Sequence, residues 1–474
     1  MNKEQALSEQ SIDSWIVNHQ KELVDDVISL INIKSISKRE DSETPFGAGT
    51  AKALDCALSL AQGYGFNTLN HTYYGIASTK DFRKGKTIGL FTHLDVVPEG
   101  TGWTYEPYQG VEKDGFIIGR GSDDNIGQVI VALFAMRYLK EHQLVHNTLF
   151  QCYGMDEEVN MEDMDIFVQK NGSPDFALVP DGTFPVCYGE KGMMDIRFTK
   201  KLQQSNIVSL SAGTACNVVP PSAEIVLSNC LYAEVKAQMS PYSRITVEEV
   251  ATGVKIIATG ISKHASVPDD SLNALQVLLS ALLATRLLDD SVVSDFTCVK
   301  ESMDDCHGAS VGAPYQDALS GKISHILGKA SVENDVLEIN FDMRVPISVD
   351  CDDVKAAMTK HFALSGFVMT HDHIFPSKYT DPSCDWVQEL TRISNEVLHQ
   401  NEQPYVVGGG TYARKFKNAV SFGTNIKGEK PLFAENKGNP HQCDECVSIN
   451  SLLQGIKIYI KSIVYLDEKL GYEE

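Results

Sequence analysis

TIGLFTHLDVVPEG, residues 87 to 100, is the stretch on which the reading of the chain turns. An apolar run suited to a buried strand ends on a histidine and an aspartate two residues apart, His93 and Asp95, before Pro98 and Gly100 break the chain. Two later runs end the same way. NTLFQCYGMDEE (147 to 158) runs out in Asp156, Glu157 and Glu158, and FALVPD (176 to 181) in Asp181. A helical pattern from about Ile126 to Lys140 separates the first run from the second. This alternation predicts an α/β layer with a largely parallel sheet flanked by helices. Open α/β sheets hold ligands at the carboxyl ends of their strands, so these acids and the imidazole should converge on one rim.

At 474 residues the chain exceeds the roughly 250 to 300 over which one core keeps growing, so two domains are expected. After about residue 190 the texture changes to amphipathic strands such as VKIIATG (254 to 260) and VLEINFDMRVPIS (336 to 348), interleaved with helices near 272 to 288 and 351 to 365. This predicts an α+β insert over 191–380. The first domain is then 1–190 plus 381–474, closing with a glycine-rich turn, VVGGGTYAR, and a final helix from about Ser448 to Leu470. Apolar residues at helical spacing from Ile12 to Ile31 mark a core-packing helix.

Lys plus Arg total 41 against 63 Asp plus Glu, a formal charge of −22, which argues against nucleic acid and anionic membrane partners. MNKEQALSEQSIDSW has no apolar signal core, and the most apolar helical stretch, 272 to 288, carries Asn273, Gln276 and Arg286, so no export and no membrane span are expected. Eleven scattered cysteines read as reduced thiols of a cytoplasmic protein, and the Cys443/Cys446 pair as coincidence rather than a redox motif.

Two more segments add ligand chemistry. GRGSDDNIG (119 to 127) sets Asp123 and Asp124 at the opening of a helix, and GNPHQCDE (438 to 445) supplies His441 from a turn. Two imidazoles and three carboxylates suit a pair of divalent ions of the zinc type, one carboxylate bridging. About four positive charges against three carboxylates and a hydroxide leave such a cluster near neutral, whereas one ion leaves surplus negative charge. Ions roughly 3.5 to 4 Å apart share a water and lower its pKa. A carboxylate outside the ligand set can act as general base, and adjacent Glu157 and Glu158 offer one group for each task. Asp95 suits fixing the His93 tautomer. Spacing alone leaves the choice between Asp123 and Asp124 open.

The segments THLDVVP, GRGSDDNIG, DEE, VPD and HQCDE resemble, in order and spacing, the dinuclear zinc peptidases that include carboxypeptidase G, succinyl-diaminopimelate desuccinylase, aminoacylase and carnosinase. Chain length, the long insert and GGGTYAR resemble the bacterial dipeptidases of that family. The resemblance implies a zinc-peptidase-like catalytic domain with a mixed sheet and an inserted lid. It further implies His93, Asp124, Glu158, Asp181 and His441 as ligands with Asp124 bridging, Glu157 as general base and Asp95 as orienter of His93. In the insert, GISKHASVP (260 to 268) resembles the segment whose histidine polarises the scissile carbonyl, here His264. ACNVVPPSA and FDMRVP place Asn217 and Arg344 as substrate contacts. A guanidinium there suits a bidentate hold on a C-terminal carboxylate. Dimeric relatives carry smaller lids and borrow this histidine from the partner, so the large insert implies a monomer. The chain departs from the family at Ile126, where relatives usually carry lysine.

The resulting expectation is a cytoplasmic, monomeric, metal-dependent dipeptidase with two divalent ions per chain, zinc first, with manganese and cobalt also suited. Its substrate is a short unblocked peptide, cleaved by a metal-bridging hydroxide with Glu157 as base. The alternatives are an amidohydrolase that deacylates N-acyl amino acids and a non-catalytic metal- or peptide-binding relative.

Overall fold

A computed structural model describes residues 3–434 and 437–471. The chain forms two compact units: residues 1–188, 380–405 and 411–474 make the first, and 189–379 with 406–410 the second.

The sheet of the first unit runs in the order Asn67–Asn70, Gly75–Ser78, Thr148–Gly154, Thr87–His93, Phe176–Val179, Ala419–Phe422, Val186–Glu190. Its centre is parallel: Thr87–His93 pairs in parallel with both Thr148–Gly154 and Phe176–Val179, and the latter in parallel with Ala419–Phe422. The flanking pairings are antiparallel. The sheet is therefore mixed with a parallel core. Thr87–His93 and Thr148–Gly154 are buried along their whole length, as strands covered on both faces must be.

Helices supply that cover. Gly127–Glu141 is buried nearly all round and packs on Ile449–Leu470, whose Tyr459 hydroxyl donates to the Phe422 carbonyl at 2.6 Å. Ser448 caps that helix by accepting from Ser451 N–H, and Ser8 does the same at the start of Glu9–Ile31. Because the three central strands are parallel neighbours, their carboxyl ends share one rim. His93 is the last residue of its strand, Asp156 to Glu158 follow Gly154, and Asp181 follows Val179.

The second unit is an eight-stranded antiparallel sheet in the order Ile245–Val250, Gly253–Thr259, Ser222–Leu227, Ile207–Ala212, Ser324–Glu333, Val336–Val345, Gly192–Lys201, Val368–Phe375. Burial alternates along Gly192–Lys201, so one face packs on a core that includes Leu278, Leu282, Phe296, Val354 and Phe362 of the helices. Val406–Gly410, expected with the first domain, packs with the second unit instead. The Lys191 amide donates to Val407 O at 3.0 Å and Arg344 Nη1 to Gly408 O at 3.2 Å. No helix among the described residues is long and apolar enough to cross a membrane.

Candidate metal centre

Asp124 lies in a tight turn, Ser122–Ile126, that precedes the helix Gly127–Glu141, and its own φ of −144° is non-helical. That local break turns its carboxylate to the rim. Oδ1 stands 3.0 Å from His93 Nε2 and Oδ2 3.0 Å from His441 Nε2. His93 Nε2 is 3.8 Å from Asp181 Oδ2, and His441 Nε2 is 3.1 Å from Glu158 Oε1. Two ligand-competent groups result: His93, Asp124 and Asp181, and Asp124, Glu158 and His441. In each, the donor atoms lie within 4.8 Å of one another, and Asp124 belongs to both.

Asp123, the neighbour that spacing could not exclude, faces elsewhere. It takes contacts of 3.4 Å from the side-chain amides of Gln128 and Asn425, and burial and the nearby Glu445 push its carboxyl well above the usual range.

The donor atoms fit metal ions. His93 Nε2 is buried and makes no regular hydrogen bond, with Asp124 Oδ1 3.0 Å away. Glu157 Oε1 is likewise buried without a partner. The pocket also favours positive charge. Burial opposes protonation of His441, yet Asp124 and Glu158 push its pKa up to about 11, and Asp124 and Asp95 raise His93 against the same penalty. Asp124, despite its burial, is held below the usual carboxylate range by the two imidazoles. Glu157 is raised, first by burial and then by the carboxylates of Asp181, Glu158 and Asp124, with His93 opposing. Mixed imidazole and carboxylate ligands at a cation-favouring rim suit borderline divalent ions.

Asp95 stands beside both His93 and the segment of the two glutamates. Its backbone carbonyl takes the 3.0 Å contact with His93 Nδ1, while Oδ1 stands off at 3.5 Å. The carboxylate instead accepts from the Glu157 and Glu158 amides at 3.2 and 3.0 Å. The chain folds back just past the strand end, so the main chain reaches the ring first and the side chain holds the segment that bears the two glutamates.

Several residues not singled out from the sequence build the scaffold. Glu445, fully buried, accepts from the Asp123 and Asp124 amides, both at 3.1 Å, and pairs with buried Arg120. Arg120 also donates to the Glu99 and His441 carbonyls, at 3.2 and 3.4 Å. One ion pair thus ties the Asp124 turn to the loop carrying His441. Asn125 donates to Pro180 O at 2.8 Å, joining that turn to the Asp181 segment. Asp163 accepts from the Met155 and Asp156 amides and from the Tyr412 hydroxyl, at 2.6, 3.1 and 2.5 Å. Glu445, Asn125 and Tyr412 all lie in the quoted motifs, but nothing in spacing marks their partners. Ile126 is buried in the hydrophobic core of this unit, where an apolar side chain suits its surroundings.

In the second unit Val218 and His264 form an antiparallel bridge, and Ala265 N–H donates to Asn217 O at 2.9 Å, so the segments that carry Asn217 and His264 run along each other. Ser266 N–H donates to His264 Nδ1 at 3.2 Å, which puts the ring proton on Nε2. Arg344 differs from the expected open clamp. Its fork already meets Asp342, through Nε at 2.7 Å and Nη2 at 3.0 Å, because residues two apart on a strand share a face. Burial and three neighbouring carboxylates, Asp123, Glu445 and Asp444, push the Cys446 thiol up to about 12, the opposite of a redox-active thiolate.

Residues 89–464 match the sequence profile of peptidase family M20/M25/M40. The chain belongs to that family. As an M20 peptidase it is an enzyme that hydrolyses peptide bonds, of a family that implies divalent metal ions. Its curated relatives include the Bacillus subtilis protein named "Putative dipeptidase YtjP", 26% identical over 470 residues, covering 95% of this chain and 98% of the relative. A Staphylococcus haemolyticus protein bearing the same dipeptidase label is 26% identical over 472 residues, with the same coverage. Among solved structures, human carnosine dipeptidase 1 superposes with a TM-score of 0.60 at 14% identity, covering 97% of this chain and 98% of that one. The M20 metallo-carboxypeptidase Sso-CP2 of Sulfolobus solfataricus gives 0.59 at 15%, covering 94% and 99%. These structural likenesses bear on the fold of this M20 peptidase: a mixed α/β sheet flanked by helices.

Proposed function

We propose that this peptidase is a metal-dependent dipeptidase acting on short unblocked peptides. In this reading His93, Asp124 and Asp181 hold one divalent ion and Asp124, Glu158 and His441 the other. The observation that supports it most is the shared carboxylate, with each Asp124 oxygen 3.0 Å from a different imidazole nitrogen beside a half-buried glutamate outside both groups. Zinc suits this donor set, as do manganese and cobalt. Two such ions, when bound, supply Lewis acidity at the scissile carbonyl and a water acidified toward neutral pH. Relatives named as dipeptidases support the substrate class.

Glu157 is the base in this proposal. Its carboxylate takes a proton from the attacking water and returns it to the leaving nitrogen, so the acid form is regenerated as the carboxylate after each turnover. Burial raises its proton affinity, which favours a group that must both accept and release. Asp95 positions Glu157 and Glu158 through their amides. His264, protonated at Nε2, donates to the developing oxyanion, and Asn217 on the paired segment contacts substrate. With Nε and Nη2 on Asp342 and Nη1 on Met193 Sδ and Gly408 O, Arg344 keeps only the second Nη2 N–H for a substrate carboxylate. We further propose that the enzyme acts in the cytoplasm as a monomer; none of its eleven cysteines is in a disulfide.

The test is hydrolysis of alanyl-alanine against N-acetyl-alanine with zinc, manganese or cobalt added. Turnover of the free dipeptide alone is expected. A preference for the acylated amino acid would make the protein an amidohydrolase of the same fold, and a metal-loaded protein idle on both would remove the dipeptidase reading.

A further inference from the structure

A third metal-competent cluster lies wholly within the second unit. One nitrogen of His307, the thiol of Cys306 and a carboxylate oxygen of Asp269 lie within 4.8 Å of one another. His307 Nδ1 stands 3.0 Å from the Ile323 carbonyl, a contact that only a ring N–H can make, so the ring is anchored through Nδ1 and its other nitrogen is aimed outward. That nitrogen, Nε2, faces Asp269 Oδ1 at 3.0 Å. Imidazole nitrogen and carboxylate oxygen thus face each other at hydrogen-bond distance, a place where a proton joins them in the ion-free chain and a divalent cation would take that proton's role. Backbone anchoring of one ring nitrogen to aim the other is how metal-ligating histidines are oriented.

The loop bearing Cys306 and His307 is rigidly built. Asp305 accepts from the amides of His307, Ala309 and Ser310 at 2.6, 3.3 and 2.5 Å. Buried His325 accepts from Gly308 N–H at 3.1 Å through Nδ1, contacts Ser302 O at 3.1 Å through Nε2, and its amide donates to Cys306 O at 2.9 Å. Both its ring nitrogens are spent on the scaffold. Gly308 has a φ of +90°, and a Cβ there would stand 2.0 Å from Ala313 O, so the turn is fixed by sterics. Asp269 and Cys306 line a cavity of about 240 Å³ that leaves room for a water as a further ligand.

We propose that Asp269, Cys306 and His307 form a third divalent-metal site, separate from the candidate centre of the first unit and of the zinc type. Thiolate, imidazole and carboxylate together are the donor set of a borderline-soft ion rather than of magnesium or calcium. A tetrahedral ion with bonds of about 2.0 to 2.3 Å spaces its ligands about 3.3 to 3.8 Å apart, so closure needs movement on the scale of a rotamer. The thiol loses its proton on binding, and that proton leaves to solvent.

Cobalt separates this site from the other, because a thiolate ligand gives an ultraviolet charge-transfer band and the first-unit groups contain no sulfur. The full-length chain is titrated with Co2+ as wild type, Cys306→Ser, His307→Ala, and His93→Ala/His441→Ala. We expect the band in wild type and in the double variant, its loss in Cys306→Ser and His307→Ala, and one fewer ion per chain in Cys306→Ser. A wild type without the band, or a Cys306→Ser protein with unchanged stoichiometry, overturns the proposal and leaves Asp269 and His307 as a surface ion pair. Failure of the dipeptidase reading would appear in the peptide assay and leave this band untouched.

Discussion

Asp124 and Asp123 are neighbours of identical chemistry with different fates, and one backbone angle separates them. The non-helical φ at Asp124 aims its carboxylate at both imidazoles, while Asp123 lies among amide donors. Asp123→Asn should therefore keep both first-unit ions by elemental analysis, whereas Asp124→Asn should weaken both together. Glu157 and Glu158 present the same contrast: Glu158 contacts His441 and belongs to a ligand group, while Glu157 does not. Glu157→Gln should cut kcat by about 10² to 10⁴ with metal content kept. Near-normal turnover in that variant would remove the base assignment. From the sequence, residue types at strand ends and in turns were enough to assemble the inventory, and resemblance chose among adjacent acids. Arg344 was legible as a basic residue on a strand but not as the partner of Asp342, because an exposed and a spent guanidinium look alike in one dimension.

At the scale of elements, the centre depends on how turns are pinned to strand ends. Glu445 holds the Asp124 turn by two amides and, through Arg120, the His441 loop. Glu445→Ala leaves a buried guanidinium unpaired and should cost about 3 to 5 kcal/mol in urea unfolding, with loss of ions in the surviving folded fraction. Gly154 ends the strand before the two glutamates, and a Cβ there would meet Tyr412 Oη at 2.0 Å and Asp163 Oδ2 at 2.6 Å. Gly154→Ala should destabilise by about 1 to 3 kcal/mol and lower kcat more than it raises KM, because the displaced segment bears Glu157. Strands and helices were readable from periodicity, since burial on one or two faces writes itself into spacing. Their pinning was not, because Asp163 and Tyr412 are 249 residues apart in the chain and carry no joint signal.

For the whole molecule, the carboxyl groups packed around the rim make stability depend on pH and on ions. Burial first, and neighbouring carboxylates after it, push Asp156, Asp163 and Glu445 each up to about 7, with Arg120 opposing at Glu445. Between about pH 4 and 7 the folded chain holds protons that the unfolded chain has released, so stability falls as pH rises through that window. The slope is on the order of 1 kcal/mol per pH unit for each group. In chelator-treated protein, Tm should fall from pH 5 to pH 8, and added zinc should raise Tm and flatten the slope; a Tm that rises over that range would contradict the assignment. The sequence by itself determined the α/β class, because burial periodicity is a local property, and offered strand-end acids and imidazoles as the candidates for the centre. Only the tertiary structure decided that Asp95 serves the glutamates, that Glu445 and Arg120 join two distant loops, and that Val406–Gly410 packs with the second unit. Those outcomes depend on which surfaces meet after folding, and a one-dimensional pattern does not record the partner.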